Sequence, residues 1–347
     1  YYNLLSFGAN EGELTIIDVH PKYMTKYQSR DFIPFTLIPL TVELDITNSC
    51  NFTCIHCSRD SKPGNKVYSD DELSKEELFS IINECGRIGV PELLLMGGEP
   101  LLHPEFFNLV RYAKEKGILH VRTSTNGWLI DESIAKALSK YMDNIQISIH
   151  GASSSTHDYI VGKKGAWSRA KKAVKILKEH NMKVNISFTV MRENVADIKK
   201  MPYLVKEWGA DSLRFLRLIG QGRGRLLKGW TEQEITNIGD DIKGIHGDLA
   251  CDLELEVEAG GFASLVPLKK DASFYGCAAG KTLLCILSNG GVKPCGSMGD
   301  DWIMGQIREK ELLDIWHSSE FLNMRMQMNC GDCAYRSICW GPCRVTS

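Results

Sequence analysis

Three cysteines stand close together early in the chain, spaced Cys50-x3-Cys54-x2-Cys57. Three thiolates in one tight loop suit one face of an iron–sulfur cube, and they leave one iron of a four-iron cluster without a protein ligand. An open coordination position is where a substrate or cofactor binds. A tetrahedral zinc site would want a fourth ligand nearby, for which His56 is the local candidate, although it adjoins Cys57 too closely for both to reach one metal easily. The plain alternative is three unrelated buried cysteines. About 40 residues further on comes Met96-Gly97-Gly98-Glu99-Pro100. Its two glycines allow close approach to the backbone, and its carboxylate can pair with an ammonium group.

A second cysteine constellation lies near the other end. Seven of the 12 cysteines follow residue 270: Cys277, Cys285, Cys295, and then Cys330-x2-Cys333-x5-Cys339-x3-Cys343. That segment is glycine-punctuated and poor in apolar residues, so it is expected to be stapled by metal. Two four-cysteine zinc sites are the competing reading. An odd number of cysteines argues against a disulfide framework. Cys85 falls on an apolar helix face and reads as core, Cys251 has no thiol partner at ligand spacing, and His103 reads as local structure.

The elements that must position these residues alternate strand and helix. Val42–Ile46, Leu93–Met96, Leu119–Thr123, Ile145–Ile149, Val184–Val190 and Leu213–Leu216 read as strands. The helix after the first cysteine group is marked by a capping box, Ser74 with Glu77, and by the stripe Leu78, Ile81, Ile82 and Cys85. Lys171–His180 reads as another, with Ala173, Val174, Ile176 and Leu177 inward. Six strand–helix units imply a parallel sheet with right-handed crossovers, too few for a closed eight-stranded barrel. A partial barrel and an open sheet both fit. Both early motifs fall just after strands, where the ligand face of such sheets lies. Gln221–Arg225 reads as a flexible basic loop, able to hold an anion or simply solvated, followed by a polar helix and a strand at Leu253–Val257. The expected divisions are 1–40 as an N-terminal extension, 41–220 as the strand–helix domain, 221–270 as a connecting segment, and 271–347 as a cysteine-rich domain.

The spacing Cys50-x3-Cys54-x2-Cys57 directly after the first strand, with Gly97-Gly98-Glu99-Pro100 after the second, resembles the signature of the radical S-adenosylmethionine (SAM) superfamily. The resemblance continues in Thr125-Asn126-Gly127 after the third strand and in Ser148 at the end of the fourth. Cys277, Gly290-x4-Cys295 and Cys330-x2-Cys333-x5-Cys339-x3-Cys343 resemble the SPASM extension of that superfamily. The likeness implies a partial (β/α)6 TIM-like barrel with a small C-terminal auxiliary-cluster domain. It implies a [4Fe–4S] cluster on Cys50, Cys54 and Cys57, whose open iron takes the amino and carboxylate groups of SAM. It implies a SAM site drawing on Gly97, Gly98, Glu99, Pro100, Thr125 and Asn126, with Ser148 at the ribose. Phe52 and His56 match commonly apolar and aromatic positions. Many relatives carry an Arg where this chain has Val161, so Lys163, Arg192 or Arg214 is expected to take the SAM carboxylate instead. One or two auxiliary [4Fe–4S] clusters are implied, the first on Cys277, Cys295 and Cys343 with Cys285 as fourth ligand, the second on Cys330, Cys333 and Cys339. Relatives place a further cysteine after that element. A longer C-terminus, a ligand such as Asp332, or an open iron would account for its absence before Ser347.

The activity so implied is reductive SAM cleavage to a 5′-deoxyadenosyl radical that abstracts hydrogen from a substrate. A ribosomally made peptide is the favoured substrate, with a tetrapyrrole or small natural-product precursor second. Partners are then the substrate and a reductant such as a flavodoxin or ferredoxin. Glu13–Val19 could be one strand of a reduced peptide-recognition element or a hairpin closing the barrel. A non-enzymatic iron–sulfur or zinc module is the reading from another class. The net charge of −2, from 41 basic and 43 acidic residues, gives no global case for nucleic acid or an anionic membrane. No apolar run reaches the ~18–20 residues of a membrane span, and no signal peptide is legible at the start, so a cytoplasmic location is expected.

Overall fold

The structure is a computed structural model, and it describes residues 36–64, 71–142, 144–248, 254–257 and 277–326. Cys251, Cys330, Cys333, Cys339, Cys343, Asp332 and the segment Glu13–Val19 lie outside the described residues.

All six expected strands form: β1 (Thr41–Asp45), β4 (Glu92–Met96), β5 (His120–Thr125), β6 (Asn144–Ser148), β7 (Lys183–Val190) and β8 (Ser212–Arg217). Two short strands, β2 (Ser49–Cys50) and β3 (Lys62–Pro63), pair with each other on either side of the cysteine loop. Beyond β8 come β9 (Glu254–Val257), β10 (Leu283–Ile286), β11 (Gly291–Lys293) and β12 (Gly305–Gln306). The main sheet runs β12-β11-β10-β1-β4-β5-β6-β7-β8-β9. Every neighbour pair from β10 to β9 is parallel, and β10-β11-β12 is antiparallel. Among the described residues the sheet keeps two edges, β12 and β9, and the architecture is the partial barrel, mostly parallel, with helices between its strands.

Those helices are α1 (Lys75–Ile88), α2 (Phe106–Glu115), α3 (Glu132–Leu138), α4 (Ser154–Val161), α5 (Ala166–Glu179), α6 (Met201–Glu207), α7 (Glu232–Asp248), α8 (Leu312–Trp316) and α9 (Ser319–Met326). The capping box forms as the sequence specifies: Ser74 Oγ accepts from Glu77 N, and Glu77 Oε2 accepts from Ser74 N at 2.7 Å. Leu78, Ile81, Ile82 and Cys85 are all buried and share one core with Val42 and Leu44 of β1. Each such fully buried aliphatic side chain contributes about 1.5–3 kcal/mol. α5 begins five residues earlier than its apolar stripe suggests. Asp158 accepts from Gly165 N at 2.6 Å and Trp167 N at 2.9 Å, so a side chain from the preceding helix caps it.

The described part of the cysteine-rich segment, residues 277–326, joins the core of the barrel. β10 pairs in register with β1, Glu43 opposite Cys285, and Leu284, Ile286, Val292, Trp316 and Phe321 share one core with the barrel residues. Its scarcity of apolar residues is met by joining an existing core.

A candidate iron–sulfur and SAM site

The cysteine loop follows β1 and is held by hydrogen bonds to its sulfurs and to its backbone. Phe52 N donates to Cys50 Sγ at 3.4 Å, and Ser61 N donates to Cys57 Sγ at 3.4 Å. Thr53 N and Ile55 N donate to the carbonyls of Val161 and Ile160, at 3.1 and 2.9 Å, which docks the loop on the end of α4. Val161 is therefore buried packing, not a ligand position. Burial pushes the Cys50 thiol up to about 11, and it raises Cys54 further, with neighbouring cysteines adding to the effect. Such thiols are inert until a metal displaces their protons. Among the described residues, no three His, Cys, Asp or Glu side chains converge on a point for a single ion.

His56 turns away from its cysteine neighbours. Its ring packs edge-on against His150 at 4.3 Å between centroids, and His150 stacks on His157 at 6.2 Å. Burial and the nearby His157 hold His56 down at about 4, so it is neutral and serves as the aromatic residue expected there. His150 and His157 were not legible as its support, because each lies about 100 residues away in the chain.

The Gly-Gly-Glu-Pro segment leaves β4 and crosses directly over the backbone before Cys50. Gly98 N donates to Thr47 O and Glu99 N to Ser49 O, both at 2.8 Å. A Cβ on Gly97 would come 2.2 Å from Thr47 O, and one on Gly98 would come 2.2 Å from Ser49 O. Gly97 also has φ +140°. The close approach that demands glycine here is therefore the chain's own cysteine loop. Glu99 is 1% exposed. Its carboxylate accepts from Thr125 Oγ1 at 2.6 Å, Asn126 N at 2.9 Å and Leu101 N at 3.3 Å. Burial raises it to about 7 against those three donors. It has no cationic partner among the described residues. Asn126 Nδ2 donates to Asn51 Oδ1 at 2.7 Å, so the ends of β4 and β5 and the cysteine loop form one connected unit. The Asn51 side-chain nitrogen is buried and has no acceptor among the described residues.

Ser148 ends β6, and its hydroxyl lies 3.4 Å from Ser187 Oγ. The register sets Ser148 opposite Ser187 and Ser187 opposite Arg214, one polar row across β6, β7 and β8. Of the three cations considered for the SAM carboxylate, Arg192 is engaged elsewhere. It holds Glu234 through two bonds of 2.9 and 2.8 Å and stacks on Trp230. Lys163 sits over Trp128, 4.8 Å from the ring centroid. Arg214 alone lies in the strand row with Ser148.

The basic loop read as flexible is a 3-10 turn, Gly222–Leu226, built against the cysteine loop. Arg223 donates Nε to Cys54 O at 2.9 Å and Nη1 to Ser61 O at 2.9 Å and Asp60 Oδ1 at 3.0 Å, while its own N–H donates to Cys57 O at 2.9 Å. A Cβ on Gly222 would come 2.4 Å from Cys57 O. Spacing in the sequence gives no sign of this contact, since about 165 residues separate the two loops.

A second arginine, Arg59, reaches from the same loop toward the later cysteines. Its Nε donates to both Asp45 oxygens at 2.9 and 2.7 Å, and its Nη2 lies 3.7 Å from Glu43 Oε2 and 4.0 Å from Cys285 Sγ. Burial opposes the Arg59 charge, but Asp45 and the facing acids keep it raised. Cys285 is fully buried on β10, and burial raises both it and Cys295, to about 12 for the latter. Cys285 and Cys295 lie close enough to influence each other, and half-buried Cys277 opens the described segment.

Buried thiols, with a carboxylate and an amide nitrogen that lack partners of opposite charge and acceptor among the described residues, fit a cluster with a cationic ligand beside it. Residues 44–201 match the model of the radical SAM superfamily, and residues 277–343 match that of an iron–sulfur cluster-binding domain, SPASM. The chain is 30% identical over 343 residues to the AdoMet-dependent heme synthase of Methanosarcina barkeri, covering 90% of this chain and 93% of that one. It is 30% identical over 320 residues to the mycofactocin maturase MftC of Mycobacterium tuberculosis, covering 88% and 78%. Among solved structures it is similar to Streptococcus suis SuiB bound to S-adenosylmethionine, with a TM-score of 0.73, 20% identity, and 89% and 73% of the chains covered. No helix among the described residues is long and apolar enough to cross a membrane. The chain belongs to the radical SAM superfamily, carries a SPASM domain, and so takes SAM and [4Fe–4S] clusters as cofactors.

Proposed function

We propose that the chain uses SAM radical chemistry to modify a peptide. When bound, the cofactors would supply an electron to split SAM, a 5′-deoxyadenosyl radical to take hydrogen from the substrate, and an auxiliary acceptor for the electron left behind. Cys50, Cys54 and Cys57 would hold the first cluster. The observation that carries the reading is Glu99: a buried carboxylate with three hydrogen-bond donors and no cation among the described residues, set beside the cysteine loop. A carboxylate so placed is matched to the SAM ammonium group. Gly97, Gly98 and Pro100 fix its position, Thr125 and Asn126 orient its oxygens, and Ser148 would meet the ribose. Arg214 would take the SAM carboxylate. Cys277, Cys285 and Cys295 would hold an auxiliary cluster together with Cys343, and Cys330, Cys333 and Cys339 a second. A small reductant protein would donate the electron.

Similarity to a mycofactocin maturase, and likeness of fold to an enzyme also solved with its precursor peptide SuiA, support a peptide substrate. A second reading, tetrapyrrole modification, is favoured by similarity to a heme synthase over 93% of that relative's length. The experiment is anaerobic reconstitution with SAM and dithionite, offering either a precursor peptide encoded beside this gene or iron-coproporphyrin III. 5′-Deoxyadenosine with a mass change in the peptide is the expected result, and a mass change only in the porphyrin replaces the peptide reading. In the Cys50/Cys54/Cys57→Ala variant about four irons per chain should go, and SAM cleavage should stop.

A further inference from the structure

A cleft of about 190 Å3 opens at the C-terminal end of β8, and nothing above gives it a role. Its walls include Arg217, Leu218, Gly224, Arg225, Leu227 and Trp230. A lining of two arginines with apolar and aromatic side chains suits a carboxylate attached to an apolar or aromatic group. Arg225 is exposed and makes no hydrogen bond or ion pair among the described residues. Trp230 gives an independent indication: its indole N–H is buried and has no acceptor among the described residues, a state that buried indoles normally avoid.

The cleft adjoins the cysteine loop. Leu218 packs in one cluster with Cys50 and Phe52, and Cys54 and Leu227 pack against that cluster. Gly224 lies so close to the loop that a Cβ there would come 3.1 Å from His56 O. An occupant would therefore sit beside the proposed cluster and SAM site. The volume is below the roughly 300–1,000 Å3 of a whole-ligand pocket, so it fits one arm of a substrate.

We propose that this cleft is a substrate-anchoring subsite for a carboxylate, held by Arg217 and Arg225 with Trp230 against the group that bears it. The inference rests on the reading of the neighbouring loop as the reaction centre. The carboxylate could belong to a peptide or to a propionate arm of a tetrapyrrole, since the chemistry the cleft recognises is the same.

The test uses the reconstituted full chain and measures Kd by equilibrium dialysis for two matched pairs. One pair is N-acetyltryptophan and its amide; the other is coproporphyrin III and its tetramethyl ester. The acid of at least one pair should bind about tenfold more tightly than its neutral form, the value of one charge-assisted bond. Arg225→Gln should bring that preference close to one, Arg225→Lys should keep part of it, and iron content should not change in either. A preference confined to the porphyrin pair supports the cleft and counts against the peptide substrate. Equal affinity of acid and neutral forms in both pairs, or a preference untouched by Arg225→Gln, overturns the proposal whichever substrate the enzyme uses.

Discussion

Arg223 donates its Nε to the carbonyl oxygen of Cys54 at 2.9 Å, from a turn about 165 residues further along the chain. With its bonds to Ser61 O and Asp60, this one guanidinium spans the cysteine loop from its middle to its end. A loop carrying three metal ligands has no internal ladder of its own, so its shape must be imposed from outside. Replacing Arg223 with Met leaves Cys54 O with Cys57 N at 3.3 Å and takes from Ser61 O its donor among the described residues, at about 1–3 kcal/mol if that carbonyl stays buried. The variant should fold, but it should retain fewer irons and lose iron to a chelator several-fold faster. Iron counts and the rate of loss to bathophenanthroline check this, and unchanged kinetics would remove Arg223 from its bracing role.

The raised Glu99 carboxyl sets a pH dependence for SAM binding. Its protonated form predominates below about 7, and only the ionised form pairs with an ammonium group. SAM affinity should therefore weaken as pH falls from 8 to 6, approaching about tenfold per unit below 7 if Glu99 alone titrates. In Glu99→Gln, affinity should be lower throughout and flat across that range. Isothermal titration of SAM into the reconstituted protein is the measurement, and a wild-type profile that is already flat would contradict the assignment.

Gly98 tests whether glycine serves the loop or the cofactor. In Gly98→Ala the new Cβ meets Ser49 O at 2.2 Å, a backbone atom that must move. The cysteine loop should shift, and iron loading of the first cluster should drop, before SAM is added. Normal iron content with weakened SAM affinity would instead mean that the glycine faces the cofactor.

Asp45 and Arg59 form a buried ion pair with Arg59 Nε 2.7 Å from Asp45 Oδ2. Removing Asp45 breaks the pair and leaves Arg59 with Glu43 Oε2 at 3.7 Å, and breaking a buried pair costs up to about 3–5 kcal/mol. Asp45→Asn should lower stability by that order in chemical denaturation, whereas the double variant Asp45→Leu/Arg59→Met should recover much of it. Equal losses in single and double variants would indicate packing and not charge.

The sequence by itself determined the local content of this protein. The six barrel strands, the capped α1 and its buried stripe were legible, because apolar periodicity and capping chemistry act over a few residues. The cysteine spacings and the Gly-Gly-Glu-Pro segment were legible for the same reason, since each is a single loop. Tertiary structure alone decided what holds those loops. Arg223 reaches Cys54 O, Asn126 reaches Asn51, His150 packs on His56, and Cys285 lies opposite Glu43 because parallel strands bring distant residues to one end of a sheet. It also decided that the glycines of the motif accommodate the cysteine loop, and that residues 277–326 share the barrel's core. Such contacts depend on register and crossover across the whole sheet, and no local pattern of residues encodes them.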